Sequence, residues 1–210
     1  MKNLTNLLPA SIIATLILAA CNSKPAEENV STTPEPTGTA ATYVVAADST
    51  SFVNWKGVML GVKEHTGKVF FKEGTIETIG TTLTGGNFTV DLTNILPTDT
   101  FYNEKAGYGK AKLIGHLSSP DFFDVANFPT ASFKIDSVNG STATGTLIIR
   151  GKSNTETLTD IVISETETGV TATGNLKFDR KKYDVKFDMP MKDMVISNDV
   201  KLSIALTAKK

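Results

Sequence analysis

Between residues 43 and 208 the chain alternates apolar and polar positions in short runs, the period-two signature of strands with one buried face. The clearest run is the last: Val200, Leu202, Ile204, Leu206 and Ala208 share one face of a strand over 200–208. Phe88, Val90 and Leu92 alternate in the same way with Asn87, Thr89 and Asp91 over 87–92. Further strands are predicted at 43–47, 51–57, 67–72, 75–79, 131–138, 143–150, 157–164 and 170–178. Within 51–57, Ser51, Val53 and Trp55 face one way and Phe52, Asn54 and Lys56 the other. Glu73 and Gly74 read as a turn between two of these strands, and 57–64 as a looser link. Residues 183–191 stay open between strand and loop, with Pro190 favouring an edge or a loop. The links are of hairpin length except at one place. There, 103–115 predicts the one long helix, weakened by Gly107 and Gly109.

About eight to ten consecutive strands with little helix predict a single all-β domain over 43–210, an up-and-down antiparallel β-barrel that leaves no open edge. A sandwich of two sheets gives the same alternation and stays open on pattern alone. At about eight strands the interior takes side chains or one slim ligand, and alternation does not say which.

Residues 116–133, HLSSPDFFDVANFPTASF, interrupt the pattern. They hold Phe122, Phe123, Phe128 and Phe133, four of the eleven phenylalanines, and two prolines. Ser119 before Pro120 predicts an N-cap and first helical position for a short turn over DFFDV. Ala131, Phe133 and Ile135 then open a strand. A connection this apolar needs a surface to bury against, and an aromatic lid loop on a β structure is the expectation. Phe122 and Phe123 are adjacent, so one is expected to anchor on the strands and the other to face the mouth.

The stretch GHLSSPDFFDVANFPTASF resembles the central signature of the YceI-like family of lipid- or polyisoprenoid-binding proteins. Four other blocks agree in order: DSTSFVNWKG at 48–57, HTGKVFFKEGTI at 65–76, GGNFTVDLTNI at 85–95 and TGTLIIRGKSNTETL at 144–158. The resemblance covers roughly 43–209 and is loose at 57–64 and 189–198. It implies a lipocalin-like barrel holding a long apolar ligand such as a polyisoprenoid, an isoprenoid quinone or a similar lipid. Matching family positions carry His65 and His116, which implies polar contact with that ligand. It also implies a place in the bacterial periplasm.

The N-terminal segment adds an address. Lys2 precedes a short apolar run at 12–20, too short to span a bilayer, which needs about 20 residues. Residues 1–20 are expected to be a secretory signal peptide. Leu18-Ala19-Ala20-Cys21 is similar to the lipobox of bacterial lipoproteins, which makes Cys21 the expected lipid anchor. Cys21 is the chain's one cysteine, so no internal disulfide can form. Residues 21–42 carry the lipidated Cys and then Pro, Glu, Ser, Thr and Ala, a tether too polar to fold. Its reach is on the order of 25 Å. The expected location is the cell envelope, on the periplasmic face or the surface of the outer membrane. The membrane is a partner through Cys21. The oligomeric state is left open, a dimer included.

Chemistry is sparse. Net charge is −1 and there are only two arginines, Arg150 and Arg180, so no basic footprint invites nucleic acid. His65 and His116, with Asp121 and Asp124 near the second, are the one candidate for a two-His-one-carboxylate metal site, but no third ligand stands at helical spacing. Histidines bonded to backbone or lining a polar mouth are the preferred reading, and no metal is expected. Asp121 and Asp124 are read as acids at a turn rather than a catalytic dyad. No GxSxG, SxxK or phosphate-binding glycine loop is present. No enzyme, no catalytic residue and no cofactor beyond a bound isoprenoid-type lipid are expected. The candidate ligand-binding set is therefore Trp55, Phe70, Phe88, Phe101, Tyr102, Phe122, Phe123 and Phe133, with His65, His116 and Lys112 as groups that orient a head. Two classes of function remain: a lipid carrier or store, and a ligand-free structural or interaction module of the envelope serving stress tolerance or adhesion.

Overall fold

The computed structural model describes residues 37–60, 63–103, 105, 107, 109–188 and 195–210. The expected signal peptide, Cys21 and most of the tether lie outside the described residues. Among the described residues nine strands follow one another: β1 Ala40–Val45, β2 Phe52–Leu60, β3 Lys63–Ile79, β4 Thr82–Pro97, β5 Thr130–Asn139, β6 Thr142–Ile149, β7 Lys152–Glu165, β8 Gly169–Asp179 and β9 Val195–Lys209. One helix, α1 Lys110–Ser118, lies between β4 and β5, and a short 3-10 helix, Arg180–Tyr183, follows β8.

From β2 to β9 each strand pairs antiparallel with the next, and β9 pairs back with β2. The sheet closes on itself, which settles barrel against sandwich. β1 and β2 share one place in the ring. β2 flanks the first part of β3, from Met59↔Lys63 to Phe52↔Phe70, and β1 flanks the last part, from Val44↔Thr75 to Ala40↔Ile79. β1 also meets β9 at Val44↔Lys209 and Val45↔Ala208. Nine strands thus fill eight places, an up-and-down barrel as the alternation predicts.

Three local expectations are corrected. β1 begins at Ala40, inside the stretch read as tether, because Ala40, Ala41 and Thr42 pair with Ile79, Thr78 and Glu77. The turn expected at Glu73–Gly74 does not form. β3 runs through it, with its register to β4 shifting between Phe71 and Glu73. Gly74 is there for close approach: a Cβ would lie 2.9 Å from the Asn87 carbonyl oxygen and 3.1 Å from the Phe88 ring. The true turn is at Gly80, whose φ of 56° is left-handed and suits glycine. The helix expected over 103–115 starts later, at Lys110, behind a Gly109 N-cap that offers no side-chain bond. Gly107, at φ 73°, excludes an earlier start.

One end of the barrel is closed by short links. There Val45, Ile76, Val170 and Ala208 are buried to 3 % exposure or less. The other end carries both long connections, β4 to β5 and β8 to β9. That end is the mouth.

Candidate functional site

The inward faces of the strands do not meet. They enclose a cavity of about 710 Å³, lined by apolar side chains from β2 through β9. The strand faces read from alternation lie on it: Phe88, Val90 and Leu92 of β4, and Val200, Leu202, Ile204 and Leu206 of β9. α1 adds Leu113, His116 and Leu117 at the mouth, and the connection after it adds Phe122 and Phe123.

That connection is built differently from its sequence reading. Ser119 closes α1 rather than opening a new turn: its N–H and Oγ–H both donate to the His116 carbonyl, at 3.2 and 2.8 Å. The chain then turns over DFFDV, with Phe122 and Asp124 N–H groups donating to the Ser119 carbonyl at 3.0 and 2.9 Å. Asp124, at φ 49°, reverses the chain. Phe122 and Phe123 both line the cavity, edge to face at 5.7 Å, and of the two it is Phe122 that meets the His116 and Phe187 rings.

The lid has a second half that the sequence did not announce. Phe187, in the β8–β9 connection, packs edge-on to His116 at 4.4 Å and lies 5.8 Å from Phe122. Two arginines hold the halves in place. Arg150 donates from Nη1 to the Phe122 carbonyl at 2.5 Å and to the Asp184 carbonyl at 3.1 Å, tying one half to the other. It stands with Gly151 in the β6–β7 turn, both at positive φ, as in a type I′ hairpin. Arg180 is 1 % exposed. Its Nε donates to the Ser197 carbonyl, Nη1 to those of Val185 and Phe187, and Nη2 to Asp188 Oδ1 and the Ile196 carbonyl, between 2.7 and 3.5 Å. Tyr183 backs this connection, wholly buried against Phe178, with its hydroxyl donating to Glu156 Oε1 at 3.0 Å. Burial first, and the Glu156 charge second, push its ionisation well above the ordinary tyrosine range.

Of the expected ligand-contact residues, Trp55, His65, Phe88, His116, Phe122, Phe123 and Phe133 line the cavity. Three do not. Phe70 falls between Val69 and Phe71, which face in, and so takes the outer face. Phe101 is 60 % exposed. Tyr102 lies behind His65, stacked at 6.0 Å. Lys112 is exposed on α1 rather than turned to the lumen. Asp121 and Asp124 do not meet His65. Its carboxylate partner is Asp99, at 3.2 Å from Nδ1. Asp99 Oδ2 also accepts from the Thr66 N–H at 3.1 Å and from the Tyr102 hydroxyl at 2.7 Å. Burial alone would raise the Asp99 carboxyl; the bonds from Tyr102, Thr66 and His65 outweigh it and hold it below the ordinary value. The sequence offered no signal for Asp99 beyond its being one of many acids.

An eight-place antiparallel barrel with an apolar lumen and a lidded mouth defines a class, that of closed, hollow up-and-down β-barrels. The chain belongs to the YceI-like domain family, whose match runs over residues 43–208. The solved structure of Burkholderia cenocepacia BcnA is similar, with a TM-score of 0.59 at 18% identity over 77% of this chain and 98% of that one. A polyisoprenoid binding domain from Saccharophagus degradans, implicated in plant cell wall breakdown, matches with a TM-score of 0.52 at 13% identity, over 80% of this chain and 97% of that one. No curated protein sequence matches the chain.

Proposed function

We propose that this protein binds one long-chain apolar ligand of isoprenoid type in the barrel lumen and stores or carries it in the bacterial cell envelope. The observation that carries the reading is the cavity of about 710 Å³, apolar on every strand from β2 to β9 and closed over by aromatic rings from two connections. An eight-stranded barrel has room for its own side chains to fill it. This one leaves space within the 300–1,000 Å³ range of small-molecule sites. At roughly 30 Å³ per carbon-sized group, near the share of one liquid water, it takes on the order of 24 heavy atoms. The similar fold of a domain described as polyisoprenoid binding supports the choice of ligand class. Export and anchoring through Cys21 rest on the lipobox and are part of the proposal.

Binding without catalysis is the accompanying reading. His65 and Asp99 form the base-and-orienter half of a hydrolytic site, but among the described residues no hydroxyl or thiol bonds to the His65 ring. The experiment is organic extraction of the purified protein from cell envelopes, followed by mass spectrometry. A stoichiometric isoprenoid lipid is expected. Extracts free of lipid, together with no uptake of added prenyl lipid by the stripped protein, would leave the ligand-free module as the reading.

A further inference from the structure

The two ends of the barrel differ in what they show to the outside. At the mouth Leu60 and Val195 pair across β2 and β9, and each is more than half exposed. Leu96, at the mouth end of β4, is nearly half exposed, and Phe101, in the connection that follows, more so. None of the four lines the lumen. Asp99 ties that connection to β3 through His65 and Thr66, and β3 lies beside β2. The four therefore follow one another round one arc of the rim, from β9 through β2 and β3 to β4. Single exposed apolar residues are ordinary on a protein surface, whereas four on one arc beside an apolar opening mark a contact.

The other side of the rim is basic. In the β8–β9 connection the Asp184 carboxylate is bonded by Lys186, with Arg150 and Lys152 close by. Asp188 is shared by Arg180 at 3.0 Å and Lys181 at 3.1 Å. Five cations thus surround two carboxylates. The other acids described at this end do not cancel the surplus. Glu64 and Glu156 are paired with Lys56 and Lys182, and Asp99 is buried. Asp121 and Asp124, after α1, are matched in number by Lys110 and Lys112 on the helix. The closed end carries no such surplus: among its described residues Asp48, Glu165 and Glu167 stand against Lys209 and Lys210.

We propose that the mouth end docks on an anionic lipid bilayer, with the apolar arc seated at the boundary of the acyl chains and the basic side on the headgroups. Surface-lying membrane segments combine the same two features, apolar side chains that enter the interface and lysines that meet anionic lipid. Docked in this way, the lumen opens onto the bilayer, and an apolar chain passes between the two without crossing water. That exchange rests on the apolar-ligand reading of the lumen; the docking rests on the rim alone. It is also separate from the expected anchor at Cys21, because β1 enters the barrel at the closed end, with Ala40 opposite Ile79.

The test is co-sedimentation with vesicles of phosphatidylcholine, alone or mixed one-to-one with phosphatidylglycerol and free of prenyl lipid. The protein is the chain from residue 21 on, carrying Cys21→Ser so that no lipid at that position contributes. Binding to the anionic vesicles should be about tenfold tighter or more. It should fall when ionic strength rises from about 0.1 M to about 1 M, which shortens the Debye length from about 10 Å to about 3 Å. Lys152→Gln with Lys186→Gln should weaken binding about tenfold, and Leu60→Ser with Phe101→Ser by a similar factor. Val44→Ser with Lys209→Gln makes the same kinds of change toward the closed end and should leave binding as it is. All six side chains are exposed, so folding is retained. No preference for the anionic vesicles, or an equal loss in the closed-end variant, would overturn docking at the mouth and leave the lumen standing. Docking on vesicles loaded with geranylgeraniol, with no uptake of the alcohol, would keep the docking and remove the apolar-ligand reading.

Discussion

Arg180 shows how one side chain decides the geometry of the mouth. Its guanidinium bonds carbonyls on both sides of the β8–β9 connection, from Val185 and Phe187 to Ser197 and Ile196, and it is almost fully buried. Replacing it with Met leaves those acceptors unsatisfied, so Arg180→Met should cost about 3–5 kcal/mol in a denaturant titration. Asp188→Asn, at an exposed partner, should change the midpoint little. Asp99 gives the pH counterpart. Its carboxyl lies below the ordinary value of 3.8 in the folded state. Its contribution is therefore full above that value and lost as pH falls through the depressed one. Asp99→Asn should flatten the acid limb of a stability-versus-pH curve below about pH 4. Neither role was legible beforehand. The sequence shows that Arg180 is one of two arginines, but a hydrogen-bonded clamp has no spacing signature. Phe70 and Phe71 show the same limit from another side: two adjacent rings on a strand must face opposite ways, and the inward one is fixed by register.

At the scale of elements, the strands were readable because each shows one face to the lumen and one to water, and the helix was not. Its start is set by Gly107 and Gly109, and its end by Ser119, which bonds backward to His116 although Ser-Pro favours opening a helix. The β8–β9 connection has no signature of a lid in the sequence because it holds two scattered aromatics, Tyr183 and Phe187, where the β4–β5 connection holds six. Structure makes the two equal partners, joined through Arg150 and through the ring contacts of His116. Phe122 and Phe187 are half-buried, so truncating either should cost less than the 3–5 kcal/mol of a fully buried phenylalanine, about 2. The larger effect belongs to exchange. Phe122→Ala and Phe187→Ala should each speed release of a bound prenyl lipid to acceptor vesicles. An unchanged release rate in both would mean that the rings do not gate the lumen.

For the whole molecule, an antiparallel all-β domain follows from strand count and hairpin-length links, but its closure is shown by the β2–β9 pairing, and whether the barrel is full or hollow does not follow from the pattern either. A packed core and an apolar lumen impose the same alternation, since each needs one apolar face per strand. The hollow is the quantity that sets function, and it makes a prediction about length. A cavity of about 710 Å³ accepts on the order of 24 carbons, close to five isoprene units. Each methylene moved out of water contributes about 0.8 kcal/mol, so affinity should climb steeply along a series of prenyl alcohols while added units still enter the lumen. Beyond about five units the extra chain has no wall to meet and lies across the mouth, where solvent reaches it, and the gain per unit should fall close to zero. Measuring dissociation constants for ten-, fifteen-, twenty-, thirty- and forty-carbon alcohols on the stripped protein tests this. A break between the twenty- and thirty-carbon members is the expected result. A gain that continues undiminished to forty carbons would require a second apolar surface outside the barrel, and a flat series would mean that the tail does not enter the lumen at all.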